Sequence, residues 1–242
     1  MVQVIECDNA ELELGYWAIR GLGQPIRVML THVGQPYREI RLGADANGNL
    51  LDKDDEGEDW ASHKLGLDVP FPNLPYLFDH SVTPTLCLTQ SNTILRYLAT
   101  KFDLLGDNDH ERLAIDQLQE EAYDFRNHIV RTAYTLGQPY KAAYAEFCET
   151  ALPRYLNGFE RFLAKRPECK CFVGTRLSLV DFVIFELVWQ MTLMVPGSLT
   201  ESTHPSLLAF LASFTSRPEI ASYQQSPSYI ERPINSPWAS FA

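Results

Sequence analysis

Basic residues are scarce in this chain. Its 242 residues carry 20 Lys and Arg against 31 Asp and Glu, a formal net charge of −11. Nucleic acids and anionic membrane surfaces are bound through basic patches, so both are excluded as partners. A small anion needs only a few local cations, and acidity does not exclude one. Long apolar runs are missing too. The most apolar span, Leu177 to Val195, is interrupted by Asp181, Glu186 and Gln190. A membrane-crossing helix needs about 20 nearly uninterrupted apolar residues, so this span reads as a buried core helix. The opening residues, Met1 to Asp8, hold neither a basic cluster nor a long apolar stretch, and no secretory signal is expected. The five cysteines form no Cys-x-x-Cys pair. Cys169 and Cys171 lie close, without the neighbouring histidines of a zinc site. Reduced thiols, a cytoplasmic setting and no bound metal are therefore expected. Repeats and low-complexity tracts are absent.

What is present is a chain 45% hydrophobic, enough for one large or two small domains. The first hundred residues alternate short apolar runs with turn signals. Leu12–Leu14, Tyr37–Leu42, Tyr76–Phe78 and Leu86–Leu88 read as strands, and Pro25–Val33 and Ser91–Lys101 as helices. That order predicts a small mixed sheet with helices. About ten residues before the first of these strands read as a terminal addition. The stretch from Gly43 to Gly57, rich in Asp and Asn, reads as a solvated loop, because it lacks EF-hand spacing and flanking helices. From Asp109 onward the pattern turns helical. Leu113, Ile115, Leu118 and Ala122 offer an apolar stripe, Tyr140–Leu163 continues in that style, and Pro205–Phe214 forms one more helix. Ser178-Leu179-Val180-Asp181 opens the apolar helix with a capping-box spacing. The division falls near Phe102–Asp109, giving an α+β chain with domains 1–102 and 109–242.

Three stretches carry chemical signals. Tyr16-Trp17-Ala18-Ile19-Arg20-Gly21-Leu22 stands where a strand gives way to a loop and a helix, a common place for binding groups on α/β scaffolds. An aromatic pair filling a strand end is the plainer reading. Phe71-Pro72-Asn73-Leu74-Pro75-Tyr76-Leu77 contains an X-Pro bond, which base rates make trans and part of an ordinary turn. Gln90-Ser91 opens a helix, whose N–H groups and dipole favour an anion, although such a residue is more often just an N-cap.

Together with Thr89-Gln90-Ser91-Asn92-Thr93-Ile94-Leu95, these stretches in this order resemble the mu class of glutathione transferases, and the resemblance runs nearly to the C-terminus. It implies a thioredoxin-like N-terminal domain that binds glutathione and an all-helical domain that carries the electrophile site. It implies a homodimer that joins the glutathione thiolate to hydrophobic electrophiles, with glutathione as co-substrate. Tyr16 then donates a hydrogen bond to the sulfur. Leu22, Leu74 and a cis Pro75 set backbone against the tripeptide, with Leu74 pairing strand-like to its cysteinyl unit. Gln90 and Ser91 receive the γ-glutamyl carboxylate. Trp17, Trp60, Lys64 and Asn73 hold the glycyl end and backbone. Asp124 reaches the α-amino group in the partner subunit, and Tyr134 lines the electrophile pocket. Phe71 inserts into the neighbouring subunit and Arg96 lies at the dimer axis. Without the resemblance, Lys64 and Asp124 read as solvated charges, and Tyr134 and Phe71 as packing residues.

The chain departs from the family near Trp60. Gly57 stands where an arginine is common, followed by Glu58-Asp59, which removes one cation from the glycyl carboxylate. The spacing from Lys64 to Phe71 is rearranged. Asn235 stands where an aromatic lines the electrophile site, implying a more polar pocket. These departures favour the alternative, a noncatalytic ligand-binding or crystallin-like structural relative, because fold does not settle function. Glutathione-dependent isomerase chemistry would use the same thiolate.

Overall fold

The computed structural model describes residues 2–45, 48–50 and 60–241. Two units divide the chain: Met1–Leu98 with Ser222–Trp238, and Ala99–Ala221 with Ala239–Ala242. The linear split at 102 to 109 takes no account of that C-terminal return.

The first unit holds a five-stranded sheet in the order β1-β3-β2-β4-β5. Its strands are β1 (Val2–Ile5), β2 (Leu12–Trp17), β3 (Tyr37–Leu42), β4 (Tyr76–Asp79) and β5 (Leu86–Thr89). β2 and β3 run parallel with Tyr16 opposite Arg41. A parallel pair needs a crossover, and α1 (Gln24–His32) supplies it. Ile26, Met29 and Leu30 at helical spacing are fully buried. β4 pairs antiparallel with both β2 and β5. A short helix, α2, has described residues 60–64, and α3 spans Ser91–Lys101.

One expectation fails here. Leu12–Leu14 is not the first strand, because within the terminal addition Val2–Ile5 pairs antiparallel with Leu42–Glu39. Val2, Val4 and Ile5 are β-branched and suit a pleated edge. Four residues at a terminus were too short a signal to read.

The second unit is helical: α4 (Asp109–Ala133), α5 (Pro139–Glu146), α6 (Leu152–Ala164), α7 (Leu179–Met194) and α8 (Pro205–Thr215), while α9 (Pro218–Gln224) leads back to the first unit. Asn108 caps α4 by accepting the Glu111 N–H at 3.1 Å. The buried stripe of α4 is Ile115, Leu118, Ala122, Phe125 and Ile129. Leu113, expected in that stripe, is 67% exposed. It stands two residues from Ile115, a turn of about 200° around the helix. The helical stretch expected over Tyr140–Leu163 is two helices joined by a π turn, Phe147–Ala151. Pro153 follows at once, and a proline has no N–H for the regular i→i−4 ladder.

α7 is buried on every side. Its capping box forms, with Asp181 accepting the Ser178 N–H at 2.8 Å and the Phe172 N–H at 2.8 Å. Burial pushes the Asp181 carboxyl up to about 6, against the downward pull of those donors. All five cysteines are free thiols.

Candidate active site

Tyr16 stands near the C-terminal end of β2, 5% exposed. Its hydroxyl oxygen accepts the backbone N–H of Leu22 at 2.9 Å. That bond uses an oxygen lone pair and brings the loop over the phenol. Two glycines make the approach feasible. A Cβ on Gly21, where φ is +38°, would lie 2.5 Å from the Tyr16 oxygen, and one on Gly23 would lie 2.6 Å from its ring.

The loop is held from two sides. Arg27 of α1 is fully buried and donates to Ile19 O at 2.8 Å and Trp17 O at 3.2 Å. It also bonds Glu39 at 2.5 Å and lies 5.9 Å from the centroid of the Tyr16 ring. Arg41 meets the other Glu39 oxygen at 2.8 Å. Burial alone would raise the Glu39 carboxyl, but the two guanidinium charges outweigh it and hold the group below its usual range. On the second side, Arg20 N donates to Pro233 O at 3.0 Å and Gly21 N to Ile234 O at 2.9 Å. The Arg20 guanidinium bonds Ile230 O at 2.6 Å and Tyr229 Oη at 2.9 Å.

Tyr16 shares an apolar cluster with Leu74 and Tyr76, against which Trp17, Leu22 and Trp60 pack. Trp17 and Trp60 meet edge to face at 6.5 Å. The Leu74-Pro75 bond is cis. The Leu74 N–H is taken by Asn73 Oδ1 at 2.9 Å. Lys64 ends the helical residues of α2 and is exposed.

Gln90 precedes α3 with φ +74°, an uncommon conformation for a residue with a Cβ. Its carbonyl accepts the Ile94 N–H at 3.0 Å, and Ser91 is buried. Phe71 is 76% exposed and Arg96 is exposed. Asn235 is buried within the C-terminal segment of the first unit.

The second unit carries the other two candidates. Asp124 is exposed on α4, and Tyr134 is the half-buried residue that ends that helix, its N–H reaching Val130 O at 3.0 Å. Gly57, Glu58 and Asp59 lie outside the described residues. At the described margins of that loop, Asp45 accepts the Asn49 N–H at 2.9 Å and its side-chain amide at 2.9 Å, so this carboxylate closes a turn. No group of three or more metal-ligating side chains occurs among the described residues.

Sequence reasoning missed the charged layer of Arg20, Arg27, Glu39 and Arg41. The alternation of Tyr37-Arg38-Glu39-Ile40-Arg41-Leu42 held the signal, since Glu39 and Arg41 share one face of a strand. It also missed His63 and Glu13, which flank Tyr76.

Two family models match the chain: the glutathione S-transferase N-terminal domain over residues 12–100 and the C-terminal domain over residues 123–227. Among curated proteins, glutathione S-transferase Mu 3 of Homo sapiens is 34% identical over 238 residues, covering 98% of this chain and 97% of its own. Glutathione S-transferase Mu 5 of Mus musculus is 36% identical over 234 residues, covering 96% of each. Among solved structures, the Pi-class glutathione S-transferase of Onchocerca volvulus superposes with a TM-score of 0.75 at 27% identity, over 93% of this chain and 97% of that one.

Proposed function

The chain belongs to the glutathione S-transferase family, and from that premise we propose that it conjugates glutathione to hydrophobic electrophiles as a mu-class enzyme. The observation that carries the reading is the Tyr16 hydroxyl held under the Leu22 N–H, in one cluster with Leu74, Trp17 and Trp60.

A free thiol titrates at about 8.5 and is mostly protonated at neutral pH. The thiolate is the nucleophile. A hydrogen bond donated to the sulfur favours the charged form, and the Tyr16 O–H is that donor. In this role Tyr16 acts as a donor that stabilises charge, not as a base. The thiol proton leaves to solvent. With an aryl halide, the sulfur–carbon bond then forms as the carbon–halogen bond breaks and halide departs.

The tripeptide lies along the first unit. Its cysteinyl carbonyl competes with Asn73 Oδ1 for the Leu74 N–H, strand-like pairing of the kind extended peptides make. Pro75 fixes the turn beside it. Gln90 and Ser91 bind the γ-glutamyl carboxylate at the start of α3, where N–H groups and the helix dipole favour an anion. Trp17, Leu22, Trp60, Lys64 and Asn73 hold the remaining backbone and the glycyl end. In a cytoplasmic homodimer keyed by Phe71, with Arg96 at the axis, Asp124 faces the α-amino group of the partner's ligand. Tyr134, in the helical domain, lines the electrophile site. No helix among the described residues is long and apolar enough to cross a membrane.

Turnover of glutathione with 1-chloro-2,4-dinitrobenzene tests the reading, beside calorimetric titration with glutathione alone. Turnover with binding supports it. Absence of both would sink it.

A further inference from the structure

His63 has no role in the chemistry above, yet it sits at the head of a hydrogen-bonded chain. Its Nε2 lies 2.9 Å from Tyr76 Oη. Tyr76 donates its own proton to Glu13 Oε1 at 3.2 Å. The other Glu13 oxygen takes Arg38 at 2.5 Å, and Arg38 reaches Glu6 at 3.1 Å. Because the Tyr76 proton is spent on Glu13, its oxygen is the acceptor and His63 Nε2 carries the hydrogen.

The rings reinforce the bond. His63 stacks on Tyr76 at 5.4 Å, and the Trp60 ring lies 6.4 Å from that of His63. Tyr76 is fully buried over Gly15, where an added Cβ would fall 2.0 Å from the ring. Burial, then the Glu13 charge, pushes the Tyr76 hydroxyl far above its ordinary value, which keeps it a neutral donor to Glu13. The acceptor that His63 meets is thus fixed by β2 and β4, two paired strands.

Among the described residues of α2, two side chains tie it to the fold: Trp60, packed on the Tyr16 cluster and edge to face with Trp17, and His63. Of its described residues 60–64, Ala61, Ser62 and Lys64 are exposed, and only Trp60 and His63 are half-buried. We propose that His63 is a positioning residue: its bond to Tyr76 fixes α2 on the sheet and thereby sets Trp60 and Lys64 for the glycyl end of glutathione. The second half of this statement rests on the function proposed above. Trp60 and Lys64 flank His63 on one helical turn, so a rotation of that turn moves both.

Three substitutions in the full chain separate this role from packing. His63→Gln places an amide N–H near the position of Nε2. His63→Asn is too short to do so, and His63→Leu has no donor. Hydrogen exchange at residues 60–67 without ligand should quicken in the Asn and Leu variants and stay near wild type in the Gln variant. The KM for glutathione should rise about fivefold in Asn and Leu, the scale of one net hydrogen bond, with kcat at saturating glutathione unchanged and Gln within about twofold of wild type. In a Tyr76→Phe background the three should no longer differ, since the acceptor is gone. Equal exchange in all three single variants would overturn the proposal. So would a loss of kcat with KM unchanged. If wild type binds no glutathione while the three variants show the exchange pattern, His63 stands as the anchor of α2 and the function assigned to the site is defeated.

Discussion

The Tyr16 hydroxyl oxygen lies 2.9 Å from the backbone nitrogen of Leu22 and accepts its hydrogen. The bond fixes the phenol's position from the loop side and adds a backbone dipole that favours negative charge near the oxygen. Tyr16→Phe should therefore cut kcat about 10²-fold, the scale for removing one donor to a developing anion. Glutathione should bind nearly as before. The ultraviolet absorbance of the bound thiolate, followed against pH, should shift to higher pH in the variant. Equal loss of binding and turnover would make Tyr16 a folding residue.

Gly21→Ala tests the cradle. At φ +38° the new Cβ meets the Tyr16 oxygen, so activity should fall at least tenfold, with about 1–2 kcal/mol of stability lost. Gly34→Ala is the control. Its φ is +65° with open space around the added carbon, so it should cost about 1 kcal/mol in urea unfolding and leave turnover alone.

Glu39→Gln leaves Arg27 and Arg41 buried without their shared anion. Breaking one side of a buried pair costs about 3–5 kcal/mol. The urea midpoint should fall accordingly, and Arg27, which holds the Trp17 and Ile19 carbonyls, should loosen the loop that presents Tyr16.

Asp181 gives a pH signature. Its folded pKa of about 6 lies above an unfolded value of about 3.9. Its contribution is thus fully present below about pH 4 and is lost as pH rises through about 6. Asp181→Asn does not titrate. The stability advantage of wild type over this variant should shrink by about 3 kcal/mol from pH 4 to pH 7. A constant gap would mean that Asp181 titrates normally in the folded chain.

The proposed dimer predicts linked defects. Phe71→Ser should shift the sedimentation profile toward monomer. Asp124→Asn should raise the glutathione dissociation constant about fivefold with the oligomer intact. An unchanged constant would remove Asp124 from the ligand's α-amino group.

The motif stretches were legible as an ordered set that resembles a known family; taken singly, Tyr16 reads as strand-end packing, Pro75 as part of an ordinary turn and Gln90-Ser91 as an N-cap. Long-range partners leave no such mark. Nothing in the residues around His63 announces Tyr76 and Glu13, which the fold brings to it. Arg20 lies within the first motif stretch, but its partners Tyr229 and Ile230 lie some two hundred residues on. The π turn at Phe147–Ala151 escaped because its sequence keeps helical character on both sides. β1 escaped because only its pairing with β3 makes it a strand.

That reach from Arg20 to the C-terminal segment bears on the order of synthesis. The ribosome releases the sheet first, and the carbonyls of Pro233 and Ile234, which receive Arg20 N and Gly21 N, follow some two hundred residues later. Domains that close on their own residues can finish while the chain is still growing. Here the Tyr16 loop is sealed only once residues 229–234 have left the ribosome, and until then the Arg20 guanidinium lacks the Tyr229 and Ile230 acceptors that it meets in the folded unit.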